Sequence, residues 1–119
     1  MGSVVIDQIL TEKPYPIEAA WIQTTNTFAC SVADAKRVYK AFKKLDFVVV
    51  VDLFMTPTAM AFADIVLPAT TYAERDGIAL TGGNSIFVGT TNKAIEPIGQ
   101  SKSDMEIIHE LGKRFNPKA

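Results

Sequence analysis

Phe47-Val48-Val49-Val50-Val51-Asp52, followed by Leu53-Phe54-Met55-Thr56-Pro57-Thr58-Ala59 and then by Ala63-Asp64-Ile65-Val66-Leu67-Pro68, is the stretch that decides the fold. An unbroken β-branched run reads as a strand buried on both faces, the signature of a parallel sheet between helices. The run ends on a carboxylate. A Thr-Pro-Thr turn then opens a short apolar helix over residues 58–63, and a second buried strand covers residues 64–67, closed by Pro68. In open α/β sheets ligands bind outside the carboxyl ends of the strands. Asp52, Thr56 and Thr58 therefore stand where a nucleotide would be read.

Upstream, Ala19-Ala20-Trp21-Ile22-Gln23 is short, apolar and bounded by turn-formers, and predicts the first strand. Thr24-Thr25-Asn26-Thr27 is a polar loop at its carboxyl end. Ser31-Val32-Ala33-Asp34 opens a helix, with Ser31 as cap and Asp34 complementing the positive helix end. Val32, Ala35, Val38, Tyr39, Phe42 and Leu45 form one apolar stripe at helical steps, opposite Lys36, Arg37, Lys40, Lys43 and Lys44. The order is β-α-β-α-β, and right-handed crossovers make such strands parallel. Residues 1–16 read as a lead-in, extended or turned around Lys13-Pro14-Tyr15-Pro16. The expected fold class is α/β: a Rossmann-like three-layer domain with a mainly parallel sheet flanked by helices, one domain over residues 17–119.

The later half has weaker signals. Residues 72–77 read as a turn, and residues 78–88 as two short strands around Thr81-Gly82-Gly83-Asn84-Ser85. Asn92 to Pro97 reads as extended. Ser103-Asp104-Met105-Glu106 is a capping box. It opens a last helix with Ile107, Ile108, Leu111 and Phe115 on one face, ending near Asn116-Pro117.

Composition narrows the function. The chain has 119 residues and a formal net charge of -1, without the basic footprint of a nucleic-acid binder. No apolar run is long enough to span a bilayer. The start lacks the basic flank and apolar core of a signal peptide, although a fragment of a larger chain would carry none even if its parent were exported. A single cysteine, Cys30, forms no internal disulfide and no paired-cysteine metal site. The default reading is a reduced, intracellular protein.

Each candidate site residue has two readings on spacing alone. Asp52 can accept from the N1–H and exocyclic amine of a guanine or from ribose hydroxyls, or it can cap the helix that follows. Thr56 and Thr58 can offer hydroxyls and free N–H groups to a phosphate, or one of them is an N-cap. Asn26, beside Thr25, can orient a ligand with its amide or close an Asx turn. Gly82-Gly83-Asn84 lacks the spacing and the basic partner of a phosphate loop. His109 has no second histidine at helical spacing and reads as a surface residue, not a metal ligand. Cys30 reads as a small packing residue. Glu74, Arg75 and Asp76 read as a structural ion-pair group, and no nucleophile stands beside a base.

Taken together, Ala20 to Thr27, Asp34 to Asp52, Thr56-Pro57-Thr58-Ala59, Ala63 to Ala69, Glu74-Arg75-Asp76-Gly77, Lys93 to Pro97 and Ser103 to Ile108 closely resemble a central segment of the molybdopterin oxidoreductases, the dimethyl-sulfoxide-reductase family. The resemblance covers nearly the whole chain after Pro14. It implies an α/β domain that grips one molybdopterin guanine dinucleotide of a molybdenum or tungsten cofactor. Thr25, Asn26, Asp52, Thr56 and Thr58 would then line the guanosine and pyrophosphate end. The family loop usually reads Gly-(Thr/Glu/Ser)-Asn-Pro, whereas Thr24 and Thr27 occupy the glycine and proline positions here.

The resemblance also implies what lies elsewhere in such enzymes: the metal ligand, the iron–sulfur cysteines of many members, and a carboxy-terminal barrel. The expectation is a domain of a larger oxidoreductase, inactive alone. Its partners would be the remaining domains of the parent catalytic subunit and an electron-transfer subunit, in cytoplasm or periplasm. The competing expectation is a stand-alone α/β nucleotide-binding or protein-interaction module without the metal cofactor.

Overall fold

The computed structural model describes residues 3–30, 33–80 and 88–116. In chain order the elements are α1 (Ser3–Thr11), β1 (Ala19–Gln23), α2 (Thr27–Cys30), α3 (Ala35–Phe42), β2 (Phe47–Asp52), α4 (Pro57–Phe62), β3 (Ile65–Pro68), a one-turn 3₁₀ helix (Tyr72–Glu74), β4 (Gly77–Leu80), β5 (Val88–Thr91) and α5 (Asp104–Phe115). They divide into two compact units, Met1–Leu67 and Pro68–Ala119.

The first unit is built on a three-stranded parallel sheet in the order β1-β2-β3, flanked by helices. β1 and β2 pair from Ala19↔Phe47 to Gln23↔Val51. Val48, Val49, Val50 and Val51 are all buried, as expected of a central strand covered on both faces. Val48 and Val50 join Ile22, Val38, Ala41, Phe42, Ala59 and Phe62 in one core cluster. Val49 and Val51 point the other way by the two-residue period of the strand. Asp64 begins the return to the sheet: its N–H donates to Val48 O at 2.9 Å, and its Oδ2 accepts from Val48 N at 2.7 Å.

Lys13 to Pro16 form a bend outside helix and strand, as read, but the lead-in before them is helical. Residues 3–11 form a helix whose Ile6 and Ile9 lie in the same core. Their three-residue step is a helical one, and the prolines act only after Thr11. α1 is pinned to α3 by the Arg37–Asp7 ion pair, and Lys44 reaches Leu10 O at 3.1 Å and Glu12 at 2.6 Å. α3 is capped by Asp34, which accepts from Arg37 N. The expected cap Ser31 and stripe residue Val32 lie outside the described residues. In the stripe itself, Val38 and Phe42 are buried, whereas Tyr39 is exposed.

In the second unit, β4 and β5 pair antiparallel from Gly77↔Thr91 to Leu80↔Val88, the two short strands expected. The glycine-rich loop between them lies outside the described residues. The capping box of α5 forms as read: Ser103 Oγ accepts from Glu106 N, and the Glu106 carboxylate accepts from Ser103 N. None of the side chains of α5 is buried, and Ile108 and Phe115 of its apolar face are exposed.

Candidate functional site at the rim of the parallel sheet

The carboxyl end of the sheet gathers the predicted residues of the first unit. Thr24 N donates to Val51 O at 3.2 Å, which extends the β1–β2 ladder one step and sets Thr24-Thr25-Asn26 beside the end of β2. Thr24 has a φ of 54°. That left-handed conformation suits glycine, the residue expected at this position from the family loop, and strains a β-branched one. Thr27, read as the end of the loop, is instead buried and opens α2.

Asp52 ends β2 half-buried. Its Oδ1 accepts from Leu53 N at 2.7 Å and Phe54 N at 3.4 Å. The carboxylate thus holds the turn after the strand, and it is not the cap of α4. That cap is Thr56, whose Oγ1 accepts from Ala59 N at 3.3 Å. The second oxygen of Asp52, Oδ2, bonds to no described residue. Leu53, Phe54 and Met55, exposed beside it, form an apolar row on the same turn.

The start of α4 offers less to a phosphate than its sequence suggests. Pro57 has no N–H and Ala59 N is taken by Thr56. Thr58 is 0% exposed. Its hydroxyl accepts from Phe28 N at 3.0 Å and donates to Asn26 Oδ1 at 2.7 Å. With neither surface nor spare proton, the Thr58 hydroxyl ties the Asn26 loop to α4. Phe28 reinforces that tie by packing edge-on against Phe62, with centroids 5.3 Å apart. Sequence reasoning missed Phe28, since one aromatic after a polar loop carries no periodic signal.

The other candidates are placed elsewhere. Glu74, Arg75 and Asp76 form a structural clasp within the second unit. The buried Glu74 accepts from Thr71 N at 2.8 Å and Ile98 N at 3.0 Å. The Thr71 N–H chiefly, with the Thr71 side chain and the Ile98 N–H, holds the Glu74 carboxyl below its ordinary range. Arg75 pairs with Asp104 at 3.7 Å, and Asp76 accepts from Lys93 N at 2.8 Å. His109 is exposed on α5. Cys30, expected to pack, is exposed at the end of α2. Among the described residues no three His, Cys, Asp or Glu side chains come together as a metal site, and no helix is long and apolar enough to cross a membrane. A groove of about 310 Å³ lined by Phe28, Ala35, Lys36, Tyr39 and Lys40 holds none of the predicted site residues.

A parallel sheet flanked by helices, with a carboxylate, an amide and a hydroxyl along its carboxyl rim, defines an α/β protein of the layout in which ligands meet the strand ends. Known proteins narrow that class. The sequence profile of molybdopterin oxidoreductase matches residues 2–114. The chain is 35% identical over 112 residues to the thiosulfate reductase molybdopterin-containing subunit of Salmonella typhimurium, covering 93% of this chain and 14% of that one. It is 36% identical over 114 residues to the F420-dependent formate dehydrogenase subunit alpha of Methanocaldococcus jannaschii, covering 96% of this chain and 16% of the relative. Acetylene hydratase from Pelobacter acetylenicus superposes with a TM-score of 0.82 at 34% identity, over 92% of this chain and 15% of that structure. The chain belongs to the molybdopterin oxidoreductase family. It spans about a seventh of the length of these relatives.

Proposed function

We propose that the rim formed by Thr25, Asn26, Asp52 and Thr56 grips the guanosine and pyrophosphate end of a molybdopterin guanine dinucleotide carrying molybdenum or tungsten. The observation that carries this reading is Asp52. One of its carboxylate oxygens holds the turn and the other bonds to no described residue, at the sheet end where α/β proteins read nucleotides. The donor set suits the ligand. A carboxylate oxygen accepts from the N1–H or amine of guanine, and an amide and a hydroxyl donate to oxygens. When bound, such a cofactor supplies the redox centre; this chain's residues supply grip and orientation.

On this reading the chain works as one domain of a larger catalytic subunit served by an electron-transfer partner, and is inactive alone. The exposed row Leu53-Phe54-Met55 in the first unit and the uncovered Ile108 and Phe115 of α5 in the second suit surfaces that pack against further protein. The test is an NMR titration of the isotope-labelled chain with guanosine diphosphate. Shifts centred on Asn26, Asp52, Leu53 and Thr56 are expected, with weak affinity because only part of the ligand envelope is present. Shifts confined to residues 68–116, or none at saturating nucleotide, overturn the assignment.

A further inference from the structure

We propose that Thr58 is a positioning residue that decides which end of the Asn26 amide faces a ligand, so that position 26 presents a donor and selects an oxygen acceptor. This rests on the cofactor reading above and deepens it.

The argument is one of proton direction. A backbone N–H can only donate, so Phe28 N must give its proton to Thr58 Oγ1 across 3.0 Å. The hydroxyl has one proton of its own and is fully enclosed. The acceptor within reach is the Asn26 side chain at 2.7 Å. The atom of Asn26 that faces Thr58 is therefore the oxygen. Turning the amide over would set an NH₂ group against the hydroxyl and leave a buried O–H without an acceptor. With Oδ1 engaged by Thr58, Nδ2 of the half-buried Asn26 is left with no described residue that accepts from it. The backbone of the same segment is held as well: Cys30 N donates to Asn26 O at 2.9 Å. Position 26 is thus a hydrogen-bond donor fixed before any ligand arrives, matched to a phosphate or carbonyl oxygen and mismatched to an N–H.

The test compares Thr58→Val, which keeps the shape and removes the hydroxyl, Thr58→Ser, which keeps the hydroxyl, and Asn26→Asp. The last retains the acceptor engaged by Thr58 and replaces the Nδ2 donor by an anionic oxygen. Guanosine diphosphate is the probe, read by backbone shifts and by the Asn26 side-chain amide pair. In the parent chain and in Thr58→Ser, one sharp Asn26 amide pair is expected, moving on titration. In Thr58→Val the pair doubles or broadens, and the dissociation constant rises about tenfold, the effect of one hydrogen bond to a charged group. Asn26→Asp keeps the dispersion of the parent chain and loses affinity by at least about tenfold. If Thr58→Val does not fold, Asn26→Asp decides. Parent-like binding by Asn26→Asp, or by a folded Thr58→Val with a single amide pair, overturns the positioning role while leaving the cofactor reading standing. Absence of rim shifts in the parent chain overturns both.

Discussion

Thr24 and Val51 are joined by a hydrogen bond from the Thr24 N–H to the Val51 carbonyl at 3.2 Å, while Thr24 itself sits at a φ of 54°. The ladder bond and the left-handed turn together swing the chain from β1 into the loop that carries Asn26. A β-branched residue in that conformation costs about 1–2 kcal/mol. Thr24→Gly relieves that strain but enlarges the unfolded ensemble, so a net gain of about 0.5–1 kcal/mol is expected by urea denaturation. A loss of stability would show that the bond from Thr24 Oγ1 to Gln23 O, 2.8 Å long, outweighs the strain.

Phe62 stands at the centre of an aromatic cluster, edge-on to Phe42 at 5.0 Å and to Phe28 at 5.3 Å. It joins α4 to α3 and to the segment after Asn26. Phe62→Ala should cost about 3–5 kcal/mol in chemical denaturation, from lost transfer energy and an unfilled cavity. It should also loosen the Asn26 loop, seen as faster amide exchange at Phe28. Exchange at Phe28 equal to that of the parent chain would separate the aromatic cluster from the site.

Asp52→Asn distinguishes turn from ligand. The amide oxygen can still accept from Leu53 N, so stability should change by less than about 0.5 kcal/mol. The other atom becomes a donor facing the donors of guanine, and affinity for guanosine diphosphate should fall about tenfold or more. Xanthosine diphosphate, with a carbonyl where guanine has its amine, should lose less. Equal losses for the two nucleotides would place the base away from Asp52.

The Glu74 clasp makes the second unit acid-sensitive. Its carboxyl is held below the ordinary range by the Thr71 N–H first and the Ile98 N–H after. As pH falls, the unfolded chain takes up this proton before the folded one does. The contribution of Glu74 is therefore complete above about 4.5 and fades as pH drops through the lower folded value. Glu106, held low by the Ser103 backbone N–H, adds a loss of the same sign. Amide protection at Thr71 and Ile98 should fall together over that acid range, and Glu74→Gln should weaken it at neutral pH with a flatter acid limb. A parent-like acid limb in the variant would assign the sensitivity to other carboxylates.

Much of the first unit was legible because its residues answer to short-range rules. The valine run leaves no polar face for solvent, so Val48 to Val51 had to lie between layers. Thr56-Pro57 is a helix start by local chemistry, and Ser103 with Glu106 is a capping box wherever the helix lies. α1 was hidden because its helical pattern is short and stands beside prolines; its burial depends on α3, thirty residues away. α5 shows the reverse, with a clear apolar stripe of which no side chain is buried.

The sequence by itself determined a parallel sheet ending on a carboxylate, with polar residues at the same rim, since strand burial and turn chemistry are local properties of the chain. Only the tertiary structure decided which of those residues keep a hydrogen-bonding atom to spare. Asp52 keeps an oxygen that bonds to no described residue because its turn uses the other, whereas Thr58 spends its hydroxyl between Phe28 and Asn26. A hydrogen-bonding group has a fixed number of protons and lone pairs, and which partners claim them depends on residues brought together from distant parts of the chain.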